Sequence, residues 1–371
     1  VITVLDILNT NTVHKGRGAA SNATGRFEPY QTVACNDGWE PQSQPAPRTQ
    51  WLPDQARSVI SRNASPDIPF DRSINPYRGC EHGCVYCFAR PSHTYLGHSA
   101  GLDFETKLYA KENAADLLRR ELQKPNYQCA PIALGVNTDA YQPIERKLKI
   151  TRKVLEVLLE ARHPVMLISK SSLIERDIDL LQDLASENLV SASVSLTSLD
   201  PELSSKLEPR ATSPKRRLRT LETLSKAGIP TRLSLAPVIP GLNENVLESI
   251  IREAANAGAC SANYVLLRLP HELQQLFSEW LYEHYPLRAK RILNAISDCR
   301  GAPVAPGGSD RRLNESRFAH RMRGNGPRAA LIYQRFHHAC RKFGLTADEQ
   351  HLALNTKSFK APKDERQLTL I

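Results

Sequence analysis

The chain has 371 residues, 41% hydrophobic and 24% charged, which suits a soluble globular protein of one large domain with appendages, or of two domains. Its 49 Lys and Arg against 39 Asp and Glu leave a formal charge of +10, a surplus that favours a polyanionic partner. No stretch approaches 18 uncharged apolar residues, so a membrane-spanning helix is excluded, and the opening VITVLDILNTNTV, with Asp6 in its apolar run and no basic flank, does not read as a signal peptide.

Residues 1–66 are polar, rich in Asn, Gln, Arg, Pro and Gly, and without helical or alternating period; an irregular N-terminal extension is expected. From 67 to 270, short apolar runs at 73–77, 132–136, 165–168, 190–196, 231–235 and 262–267 predict strands. Between them, 112–122, 150–161, 178–186, 214–227 and 245–257 carry helical period. Ser213 before Pro214, and Asn243, are expected to cap helices, and Gly228 and Gly258 to end them. Six βα units imply a parallel sheet with right-handed crossovers. They are too few for a closed eight-stranded barrel, so the expected fold is α/β, a partial (βα)6 TIM-like barrel whose chemistry sits at the C-terminal strand ends.

Residues 271–371 read as a helical C-terminal extension with a Gly/Arg-rich segment. Positions 300–371 hold 14 Lys and Arg against six Asp and Glu, which is +8 of the +10. Arg311, Arg312, Arg321, Arg323 and Arg328 are the densest part; a polyanion-binding segment and a solvated tail both account for it.

Of eight cysteines, Cys35, Cys129, Cys260, Cys299 and Cys340 are scattered, while Cys80, Cys84 and Cys87 fall at C-x3-C-x2-C directly after the first predicted strand. Such clustering reads as metal chemistry rather than disulfide staples. Structural zinc takes four protein ligands; no second pair follows here, and His82 is too near its neighbours to complete a set. A [4Fe–4S] cluster on three cysteines leaves one iron open to a ligand, with zinc as the alternative.

With this spacing in the loop after the first strand, the chain resembles the radical S-adenosylmethionine (SAM) superfamily. The runs INPYRGCEHGCVYCFAR and TDAYQPIE resemble its spore photoproduct lyase-related, DNA repair photolyase-like group, over residues 70–270. The resemblance implies a [4Fe–4S] cluster on Cys80, Cys84 and Cys87, SAM on the open iron, and reductive cleavage to a 5′-deoxyadenosyl radical. It implies an external electron donor such as flavodoxin or ferredoxin, and a cytoplasmic protein. It sets Tyr86 against the adenine, Lys170 by the SAM carboxylate, and the segment from Ala236 near the adenine. Thr138 and Asp139 fall near the ribose or amino acid moiety, with an Asx-capped turn as the alternative. Ser195, between Ser193 and Thr197, belongs to a polar cavity or to a plain sheet face. Arg210 precedes the fourth helix and joins the cofactor set.

His93, Arg268, Arg311, Arg312, Arg321 and Arg323 are the substrate-side candidates, Arg268 serving either an anionic substrate or a rim salt bridge. Spore photoproduct lyases carry a hydrogen-donating cysteine where this chain has Val136, which cannot donate, so strict spore photoproduct lyase activity is not expected. Tyr141 and Tyr86 are the nearer candidates for handling a hydrogen atom. Action on a nucleic-acid base comes first, a protein or small-molecule substrate second, and a nucleic-acid-binding protein with a structural metal third.

Overall fold

The computed structural model describes residues 14–29, 47–301, 312–347 and 353–363. Its strands are β1 (Gln50–Pro53), β2 (Ile60–Arg62), β3 (Arg72–Ile74), β4 (Tyr77–Arg78), β5 (Lys107–Ala110), β6 (Ile132–Leu134), β7 (Val165–Ser169), β8 (Val190–Ser195), β9 (Thr231–Val238), β10 (Ser261–Leu266) and β11 (Thr346–Ala347). Strands β3, β6, β7, β8, β9 and β10 lie side by side in that order and run parallel, as six βα units require. Antiparallel β2 ends the sheet beside β3 and parallel β11 ends it beside β10. One face of this sheet wraps a single cavity, to which five of the six parallel strands contribute lining residues.

Local chemistry explains where strands begin and stop. The expected strand at 73–77 breaks at Asn75–Pro76, since a proline has no N–H for the ladder. Tyr77–Arg78 leaves as β4 and pairs with β5 in a second sheet, ordered β1-β5-β4. Strand β6 ends two residues early because Gly135 takes φ +82°. The segment expected to be irregular supplies β1 and β2. Most of their residues are exposed, so no apolar period announced them; backbone pairing alone makes them strands.

Helices fall at Ala114–Leu122, Ile150–Glu160, Ile178–Ser186, Pro214–Lys226 and Leu247–Asn256, close to the predicted spans. Each buries one face against the sheet; in the second, Val154, Leu155 and Leu158 are fully buried, each worth ~1.5–3 kcal/mol. Gly228 and Gly258 follow helix ends at φ +76° and +89°, as expected. The two expected caps fail. Ser213 makes no capping bond, leaving Pro214 to open its helix. Asn243 instead accepts from Ile239 N at 2.6 Å and donates to Thr197 O at 2.8 Å and Pro237 O at 3.0 Å, tying the ends of β8 and β9 together.

After β10 come helices Leu273–His284, Ala289–Asp298 and Gly326–Lys342. Phe277, Trp280 and Ile292 from the first two pack with Val85, Leu207, Ile239 and Leu267, a second core that covers the loop bearing the cysteines. Among the described residues no helix is long and apolar enough to cross a membrane.

Candidate functional site

The loop 79–90 follows β4, and its shape is set from behind. Gly79 and Gly83 take φ +75° and +66°, and a Cβ on Gly83 would fall 2.6 Å from Glu105 Oε2. Arg90, fully buried, donates to the carbonyls of Cys84 (2.8 Å), Gly83 (2.9 Å), Ala100 (3.1 Å) and Gly101 (2.9 Å), and meets Glu105 at 2.5 Å. Glu105 also accepts from the backbone N–H groups of Gly18 and Ala19 at 3.0 and 2.9 Å. One guanidinium thus gathers four loop carbonyls, and one carboxylate balances it.

Held this way, Cys80, Cys84 and Cys87 line one cavity of about 650 Å³. All three are free, and burial pushes their thiols up, Cys84 to about 12. A bound metal centre would reverse that cost by holding thiolates. Among the described residues no three His, Cys, Asp or Glu side chains converge to hold a single ion. The donor set of three thiols fronting a roomy cavity fits a cluster that takes three sulfurs and keeps one position open.

The strand ends supply the next wall. Asp139, after β6, accepts from Tyr141 N (2.8 Å), Ser169 Oγ (2.8 Å) and Lys170 N (2.7 Å), and lies 3.3 Å from His82 Nδ1. Burial would raise its carboxyl, but His82 and these N–H groups hold it at about 2. It therefore braces the cysteine loop against the end of β7, with its oxygens already spoken for. Lys170 Nζ donates to Ser195 Oγ at 3.0 Å and lies 5.9 Å from the centre of the Tyr86 ring; Ser195 Oγ donates in turn to Ala236 O at 3.3 Å. Tyr86 donates its hydroxyl to Glu208, which also accepts from Thr197 at 2.8 Å and pairs with the fully buried Arg217. Against the upward push of burial, Arg217 and Lys170 hold Glu208 at about 2.

Tyr86, Asp139, Lys170, Ser195 and Ala236 thus share the cavity with the three cysteines, and Ser191 and Ser193 join Ser195 on one polar strip. Six expectations are corrected, four of them around the cysteine loop and two, Arg312 and Arg321, in the C-terminal segment. Thr138 turns away from the cavity, its hydroxyl donating to Tyr77 O at 2.7 Å. Tyr141 is buried off the cavity near Asp177 and Arg176. His93 packs under the loop with Nε2 2.9 Å from Lys107 O, and burial, with His98, lowers its pKa to about 4. Arg210 sits on the loop's outer side, 3.2 Å from Glu81. Of the run Glu208-Pro209-Arg210, the inward member is Glu208. Arg90, Glu105 and Arg217 had no sequence signal beyond their charge.

Arg268 and Arg323 also line the cavity, as does Val136. The Arg268 guanidinium lies 5.6 Å from the Phe88 ring centre and 3.8 Å from Met322 Sδ. Its nearest carboxylate, Asp67, is held at both oxygens by Arg321 at 2.5 and 2.7 Å. Arg321 is therefore a structural partner rather than a lining residue. Arg323 stands 5.5 Å from the Tyr333 ring centre. Arg312, largely exposed and off the cavity, lies 3.7 Å from Glu315, and Arg311 lies outside the described residues.

Residues 74–254 match the family model described as the Radical SAM superfamily. An uncharacterised protein of Mycobacterium tuberculosis is 35% identical over 221 residues, covering 59% of this chain and 65% of the relative. The match thus spans just under two thirds of that relative's length. An uncharacterised protein of Methanocaldococcus jannaschii is 28% identical over 221 residues, covering 60% and 79%. Among solved structures, spore photoproduct lyase complexed with dinucleoside spore photoproduct superposes with TM-score 0.56 at 13% identity, covering 80% of each chain. A mutant of that lyase with bound AdoMet and dinucleoside spore photoproduct gives 0.54 at 12% identity, covering 80% and 81%. At this identity the likeness is one of fold.

Proposed function

We propose that this chain, whose residues 74–254 belong to the Radical SAM superfamily, is an enzyme that cleaves SAM reductively and acts on a nucleic-acid base. The observation that carries the proposal is one cavity lined by three free thiols, by Tyr86, Lys170 and Ser195, and by Arg268 and Arg323. When bound, a [4Fe–4S] cluster with SAM supplies one-electron cleavage of the sulfonium and hence a 5′-deoxyadenosyl radical.

The chain's residues divide the remaining work. Cys80, Cys84 and Cys87 hold the cluster, and Lys170, steadied by Ser195, offers its ammonium to the SAM carboxylate. Glu208 fixes the Tyr86 ring through its hydroxyl, so that a face is presented to the cavity. Arg268 attracts phosphate, and the half-exposed Phe88 beside it gives a base a stacking surface. The superposed lyase binds a dinucleoside lesion, which supports a nucleic-acid substrate here. Val136 lines the cavity without an atom to donate, so lesion reversal by a thiol at that position is not the reaction.

Anaerobic reconstitution with iron and sulfide, then SAM and dithionite, is expected to release 5′-deoxyadenosine, and Cys84→Ala to abolish it. Oligonucleotide binding is expected at low salt and to weaken steeply as salt rises. One zinc per chain with intact SAM would overturn the enzyme; no oligonucleotide binding at low salt would overturn the nucleic-acid substrate.

A further inference from the structure

Behind the cysteine loop lies a second pocket of about 320 Å³. Glu81 lines it, whereas Cys80, His82 and Cys84 line the main cavity, so the loop itself is the partition between the two. The partition is thin and close-packed: a Cβ on Gly18 would fall 1.8 Å from Gly83 O, and Arg210 N donates to His82 O at 3.2 Å.

The outer pocket is strongly cationic. Among the described residues, Lys15, Arg17, Arg48 and Arg210 line it with one carboxylate, Glu81, which Arg210 meets at 3.2 Å. Arg17 is buried and donates to Glu105 O (3.2 Å), Pro47 O (2.6 Å) and Thr49 Oγ1 (3.1 Å), none of them charged. Burial first, and then the charge of Arg210, lower its pKa against the pull of Glu105 and Glu81. Lys15 and Arg48 are exposed at the rim. Four cations facing one acid favour an anionic partner.

We propose that this face docks an acidic one-electron carrier protein, which reduces the centre on Cys80, Cys84 and Cys87 across the loop. The inference rests on the radical SAM reading, which needs an electron from outside. One electron leaves the reduced carrier and enters the cluster, and no proton or group is transferred here. Electron transfer weakens steeply with distance, and this basic lining stands against the back of the cysteine loop, outside the cavity where SAM and substrate would lie. A polynucleotide on this face would lie outside the cavity, on the wrong side of the loop to present a base.

The test uses the full-length reconstituted protein and reduced flavodoxin as the carrier, with cluster reduction followed by stopped-flow bleaching and EPR. Lys15→Glu with Arg48→Glu is expected to slow reduction by flavodoxin about tenfold or more at low salt. The wild-type rate should fall as salt rises, and dithionite should reduce both proteins equally. An unchanged flavodoxin rate in the variant overturns the docking site, as does a loss of oligonucleotide binding with carrier-driven reduction intact. Failure to assemble any cluster would instead overturn the radical SAM reading, and cluster reduction by dithionite separates the two failures.

Discussion

On the loop side of the cavity, buried charges are matched inside the protein: Arg90 with Glu105, Arg217 with Glu208, Asp139 with His82 and two backbone N–H groups. Arg268, partly buried on the same cavity beside Phe88, differs: Arg321 has taken the neighbouring carboxylate of Asp67, leaving Arg268, among the described residues, an aromatic ring and a thioether. A matched buried charge is scaffold, because ion and counter-ion arrive together and fix geometry. A mismatched one at a cavity wall is held at a desolvation cost that a ligand of opposite sign can relieve.

The largest effect should come from breaking a matched pair. Arg90→Met leaves Glu105 buried without its cation and four carbonyls without their donor. It should cost about 3–5 kcal/mol in urea unfolding of the apo-protein and lower iron incorporation. A stable variant that still loads iron would mean the loop is held by something else.

Protons test buried groups on the loop side and beyond it. Burial pushes both His93 and His163 down to about 4, whereas the unfolded chain protonates them near 6.5. Between those values the unfolded state binds more protons, so stability is full above pH 6.5 and falls as pH drops towards 4, by up to about 3 kcal/mol per histidine. Asp139 and Glu208, held at about 2, keep their contribution to lower pH and lose it only as pH falls from the ordinary carboxylate range towards 2. Urea midpoints measured from pH 7 to 4.5 should therefore decline, and a flat profile would contradict the buried neutral histidines.

The smallest stability change belongs to Arg268. Arg268→Ala orphans no carboxylate and should shift stability by less than about 1 kcal/mol. It should weaken oligonucleotide binding several-fold and reduce the salt slope by about one. A stability loss as large as that of Arg90→Met, with binding unchanged, would put Arg268 among the scaffold.

Much of this was legible in the chain before any coordinates. The helix at Ile150–Glu160 announces itself because Val154, Leu155 and Leu158 recur at helical spacing, and five of the six parallel strands because they are apolar runs of the right length. Strands β1 and β2 left no such trace, since their side chains are mostly exposed and their identity lies in backbone partners far along the chain. The site divides the same way. Cys80, Cys84 and Cys87 sit within one turn of loop, and Tyr86 and Lys170 follow from resemblance and strand position. Tyr141, His93 and Thr138 were placed on the right loops but face elsewhere.

By itself the sequence determined the βα alternation, the three-cysteine motif and the surplus of positive charge, because periodicity and spacing are written along the chain. Only the tertiary structure decided which charges cancel. Arg321 and Arg268 look alike in the sequence, yet one is spent on Asp67 and the other faces the cavity. Glu208 and Arg210 stand two residues apart, and the loop of Cys80 to Cys87 runs between their two environments. The physical reason is that pairing of buried charge depends on distances through space, between residues from nine positions apart (Glu208 and Arg217) to 254 (Asp67 and Arg321), which no local pattern records.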